Sequence, residues 1–105
     1  MPDKNIGFIV MYHQPEDKQK FDKRYQKHLN VFEENAGNIV ESATVFKVND
    51  EVFYQIATVK FKPGTDFDAV MNSPSMKNVV DDVLDFVPED KFRVLPITQT
   101  VSESE

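Results

Sequence analysis

Residues 6–12 form an unbroken apolar run, rich in branched and aromatic side chains and too short for a helix. It predicts a buried strand. His13-Gln14-Pro15 ends it, because proline cannot donate to a ladder and pre-sets a turn. Over 17–36 the rhythm changes. Phe21, Tyr25, His28, Leu29, Phe32 and Ala36 recur every three or four positions, so one helical face collects them. Lys18, Lys20, Lys23, Lys27 and Glu34 fall on the other side, and Gly37 is placed to cap the end. Residues 39–48 and 52–61 are β-rich, and Asn49-Asp50-Glu51 between them predicts a hairpin. Pro63-Gly64 stops the second of these strands. Thr65 or Asp66 can cap a short helix over 66–72. Ser73-Pro74 reads as an N-cap followed by proline at the first helical position, and Met76, Val79, Val80, Val83 and Leu84 supply that helix's apolar face. Residues 92–100 read as a last strand, and the acidic tail 101–105 is expected to fray. A single domain over 1–100 follows.

The element order is strand, helix, strand, strand, helix, strand. That is the α+β, ferredoxin-like βαββαβ plan: a four-stranded antiparallel sheet with two helices on one face. Alternation sends Phe8, Val10 and Tyr12 to one side of the first strand and Ile9 and Met11 to the other. Tyr54 and Ile56 likewise oppose Ala57, Val59 and Phe61. Both sheet faces are therefore apolar, but two helices cover only one. A second copy of the chain is the simplest cover for the other, so a homodimer is expected.

Composition narrows the partners. The chain has 105 residues and a net charge of −6. That balance argues against a phosphate backbone or an anionic membrane surface as partner. No cysteine is present, which removes disulfides, thiolate metal sites and a cysteine nucleophile. No apolar run approaches a membrane span and the start lacks a signal-peptide pattern, so a soluble, cytoplasmic protein is expected.

The residue with most chemical potential is His28. It lies on the apolar stripe between Tyr25 and Phe32, and imidazole exchanges protons near neutrality. The competing reading is a core-edge histidine satisfied by a carbonyl or hydroxyl. Tyr25, one turn earlier, can offer its hydroxyl to a ligand or to His28, or simply pack. Tyr12 and His13 end the first strand, and Tyr54 lies on the side of Ile56, with packing as its alternative. Two histidines without a carboxylate at ligand spacing do not make a metal motif, so no metal is expected. Asp81, Asp82 and Asp85 read as the solvated face of the last helix. With three glycines and no phosphate loop or nucleophile elbow, ATP, NAD and acyl-serine chemistry lack support.

The first strand with FDKRYQKHL (21–29), and then SPSMKNVVDDVLDFV (73–87), resembles the EthD family of dimeric α+β barrel proteins. That family carries a Phe, a Tyr and a His in this order on its first helix, and a Ser-Pro opening on its second. Asn30 and Ala36 stand where the family usually has proline. The resemblance implies a homodimer paired through the sheet, with His28 facing a cavity between helices and sheet. It implies a small apolar or aromatic ligand, with His28 and Tyr25 as catalytic residues and Tyr12, Phe32 and Tyr54 as ligand contacts. No cofactor is expected. The reaction would be decarboxylation, isomerisation or oxygenation, in proteins associated with an oxidoreductase system. The alternatives are a non-catalytic ligand-binding accessory protein, and a haem-binding barrel with His28 or His13 as axial ligand.

Overall fold

A computed structural model describes residues 5–103; residues 1–4 and the tail positions 104 and 105 lie outside the described residues. Strand β1 (Gly7–His13) leads to helix α1 (Lys18–Ala36), then the hairpin of β2 (Val40–Lys47) and β3 (Phe53–Phe61). A five-residue helix α2 (Phe67–Met71), helix α3 (Pro74–Leu84) and strand β4 (Phe92–Ile97) follow. The sheet order is β2-β3-β1-β4, antiparallel at every pairing. This is the expected α+β ferredoxin-like plan with α2 added before α3.

The local signals act where the sequence places them. The Asp17 carboxylate caps α1 by accepting from the Lys20 N–H at 3.1 Å. Ser73 Oγ accepts from the Met76 N–H at 3.2 Å, with Pro74 opening α3. Asp50 Oδ2 accepts from the N–H groups of Val52 and Phe53, both at 2.9 Å, which ties the hairpin turn. Gly37 does cap α1, but in the right-handed region (φ −57°), and the chain runs on into a 3-10 turn. The left-handed conformation is found instead at Gly64, φ +86°. At Gly7 the requirement is space, because a Cβ would sit 2.0 Å from the Val59 carbonyl oxygen. Strand β4 ends at Ile97, short of the expected 100, because its partner β1 begins at Gly7, opposite Ile97.

Both long helices pack on one sheet face. Phe21, Tyr25 and Ala36 of α1 and Met76, Val79 and Val83 of α3 are buried over Phe8, Tyr12, Ala57, Val59 and Phe61. Each large side chain removed from water here contributes about 1.5–3 kcal/mol. The expected α3 stripe was wider than the buried one. Val80 and Leu84 remain 41% and 43% exposed, because the seam follows 76, 79 and 83 and leaves them at its rim. On the opposite sheet face the register aligns Phe46, Ile56 and Met11 in one row and Ile9 and Leu95 in the next. Among the described residues that face carries no helix, and Phe46 is half exposed. Among the described residues no helix is long and apolar enough to cross a membrane.

Candidate functional site

The three-to-four spacing on α1 aims Tyr25, His28 and Phe32 into the helix–sheet interface, where Tyr12 rises from the end of β1. All four line one apolar cavity of about 100 Å³, closed on the α3 side by Met76, Val79 and Val83. This places four of the five sequence-derived candidates on one wall system. Tyr54 is not among the lining residues. A β-bulge opposite Tyr12 and His13 skips it in the β1–β3 register, so alternation no longer sets its direction. Its ring meets Phe21 at 5.7 Å, and its hydroxyl donates to the Asp22 carboxylate at 3.0 Å. His13 packs edge-on against Phe53 and lines a separate open groove shared with Phe21, Arg24 and Phe86.

His28 is 6% exposed, and its Nδ1 lies 2.8 Å from Asp82 Oδ2. Its Nε2 has no hydrogen-bond partner among the described residues. Asp82 is gripped in turn by Arg24, with Nη2 2.7 Å from Oδ1 and Nη1 3.3 Å from Oδ2. Arg24 also reaches Asp85 at 3.3 Å, and its guanidinium stacks 4.5 Å above the Phe86 ring. Each charge shapes its neighbour. The hydrogen bonds from Arg24, joined by that from His28, hold the Asp82 carboxyl below its ordinary range. Burial lowers the proton affinity of His28, against the opposing pull of Asp82, so the ring is neutral at pH 7.

Tyr12 and Tyr25 pack edge to face at 5.4 Å. Burial, first of all, pushes both phenols up, so each keeps its proton as a hydrogen-bond donor. Gln55 lies beside the Tyr25 hydroxyl and is 3% exposed. Its Oε1 accepts from Lys47 at 2.7 Å, while its Nε2 has no full partner among the described residues. Among those residues no cluster of three or more His, Asp or Glu side chains could hold a metal ion.

Asp82 and Arg24 are the site members that sequence reasoning missed. The signal was present. Asp82 stands three residues after Val79, which puts it beside the buried face of α3. Arg24 stands four before His28, on one side of α1.

No family model matches the chain, and no curated protein sequence does. Solved structures match nearly its whole length. An EthD family protein from Bacillus halodurans C-125 aligns with a TM-score of 0.77 at 20% identity, over 91% of this chain and 99% of that one. The hydroxynitrile lyase from Passiflora edulis aligns with a TM-score of 0.68 at 15% identity, over 98% of this chain and 100% of that one. A dimeric ferredoxin-like protein of unknown function from Jannaschia sp. CCS1 aligns with a TM-score of 0.65 at 13% identity, over 88% and 97%. By fold the chain is therefore an EthD-like, ferredoxin-like α+β protein.

Proposed function

We propose that the chain binds a small apolar or aromatic molecule in the cavity between helices and sheet, and that His28 acts on it as a general base without a cofactor. One observation carries this reading: a buried histidine lines an apolar cavity with Nδ1 engaged by Asp82 and Nε2 without a partner among the described residues, and burial lowers its proton affinity. Tyr12 and Tyr25 add protonated hydroxyls to the same wall, suited to an oxygen on which negative charge develops. A fold neighbour named as a lyase supports an enzymatic use of this architecture. The cavity is smaller than the roughly 150 Å³ apolar void that admits benzene. Met71 and Met76 line it, and flexible thioethers can give way to a ring. That volume favours a small ligand over a haem at His28. Two copies pair through the open sheet face that carries Phe46, Ile56 and Met11, a reading supported by the neighbour described as dimeric.

The test uses acetophenone in D2O. His28 Nε2 takes a methyl proton, and the C–H electron pair moves into the enolate, whose oxygen accepts a hydrogen bond from a tyrosine hydroxyl. A solvent-derived deuteron then returns to carbon. The protein should accelerate deuterium incorporation, and His28→Ala should lose at least about 100-fold of that acceleration. Native mass spectrometry should find both proteins as dimers. Equal exchange rates would remove His28 as the base. Binding of acetophenone without exchange would favour the accessory, non-catalytic reading.

A further inference from the structure

We infer that Asp82, held by Arg24, is a positioning residue that fixes the proton of His28 on Nδ1 and so leaves Nε2 as a hydrogen-bond acceptor at the cavity wall. The geometry is specific. An ionised carboxylate only accepts, so at 2.8 Å from Asp82 Oδ2 the Nδ1 atom must donate. Asp82 cannot readily turn away, because Arg24 binds both of its oxygens and also approaches its backbone carbonyl at 3.4 Å. Arg24 is itself braced by the Phe86 ring and by Asp85. The assembly therefore links two residues one turn apart on α1 to a single residue on α3. A neutral imidazole whose proton sits on the wrong nitrogen presents a donor where a base must accept.

The surroundings of the ring set the expected signs. Arg24 and Tyr25 reach it from α1, Asp82 from α3, and the Phe86 ring from just beyond α3. Asp85 pairs with Arg24 rather than with the ring. The negative charge of Asp82 favours the imidazolium and the positive charge of Arg24 disfavours it. Removing one or the other must therefore move His28 in opposite directions. A role limited to holding two helices together does not require the His28 proton to sit on Nδ1, so the tautomer is the readout that separates the two roles.

The proposal bears on the chemistry through the assignment of His28 as base, but the tautomer belongs to the unliganded protein. The experiment is a long-range 15N–1H correlation spectrum of the histidine rings, recorded over a pH titration without ligand. In the native protein at pH 7, Nε2 of His28 should be the unprotonated nitrogen. Asp82→Ala should mix the two tautomers and move the His28 midpoint further down by about half a unit or more. Arg24→Gln should keep Nδ1–H and move the midpoint up by a similar amount. A native spectrum with the proton on Nε2 overturns the proposal, as do midpoints that move the same way in both variants. Should Asp82→Ala not fold, the native tautomer and the Arg24→Gln shift decide the matter. Loss of acetophenone exchange with the expected tautomer intact would count against the base and leave the positioning role standing.

Discussion

Two charged clusters tie α1 to the rest of the molecule, and they differ mainly in how much water reaches them. One joins Arg24 and His28 to Asp82 on α3, with Arg24 and Asp82 side chains only 23% and 18% exposed. The other joins Asp22 to Lys47 and Tyr54 of the hairpin, with Lys47 and Asp22 51% and 44% exposed. At Asp22 burial pushes the carboxyl up, and the hydrogen bonds from Lys47 and Tyr54 outweigh it, leaving the group below its ordinary range. Both clusters thus hold an ionised aspartate. Only the sheltered one touches the cavity. Water competes for every exposed partner and screens the charges, so an exposed ion pair contributes little. In the sheltered cluster the lost partner is not replaced by water at the same strength.

The largest expected effect follows from breaking the sheltered cluster. Asp82→Ala leaves His28 Nδ1–H without its acceptor and leaves the exposed Asp85 as the one carboxylate still paired with Arg24 among the described residues. Truncating one partner of a fully buried pair costs about 3–5 kcal/mol, and the partial exposure here reduces that to about 2 kcal/mol. Urea unfolding measures it directly. A loss under about 0.5 kcal/mol would place Asp82 in the same class as Asp22 and erase the comparison.

A smaller effect separates the clusters by pH. The folded state lowers the proton affinity of His28 below the ordinary 6.5. As pH falls through 6.5, the unfolded chain takes up its proton first, so it binds more protons than the native state. Stability therefore falls with pH from about 6.5 down to the folded-state value of His28, and levels off below it. Asp82 and Asp22 add their own losses only at more acid pH, where their lowered carboxyls finally protonate. Between pH 7 and pH 5, His28→Gln should show a flatter decline than the native protein in urea midpoints. An equally steep decline would mean that His28 is not the group responsible.

The contrast also shows what a sequence can disclose about this site. The strand order, the caps at Asp66 and Ser73, and the shared face of Tyr25, His28 and Phe32 are local properties of short windows. Periodicity reads them directly. Asp82 pairs with residues 54 and 58 positions away, and no window spans that separation. Two further aspartates beside it made a solvated face the simpler reading, although an acid on the buried side of a helix calls for a partner. Tyr54 was misplaced for a different reason. Strand alternation holds only while the ladder is regular, and the bulge opposite Tyr12 and His13 breaks it at that residue.

The exposed cluster supplies the smallest effect and the sharpest limit on the comparison. Asp22→Ala removes the ion pair with Lys47 and the acceptor of the Tyr54 hydroxyl. Lys47 still donates to Gln55 Oε1 at 2.7 Å and still sits 3.9 Å over the Tyr54 ring. The Tyr54 hydroxyl can turn to water. What remains is one exposed pair lost from a cluster that keeps its other contacts, and the cost should be about 0.5 kcal/mol or less. Raising salt to about 1 M shortens the screening length to about 3 Å, so the native protein should lose most of that difference there. If Asp22→Ala instead costs as much as Asp82→Ala and resists salt, shelter from water is not what distinguishes the two clusters. The special standing of the Arg24–Asp82–His28 assembly would then have to rest on the cavity it faces, not on its burial.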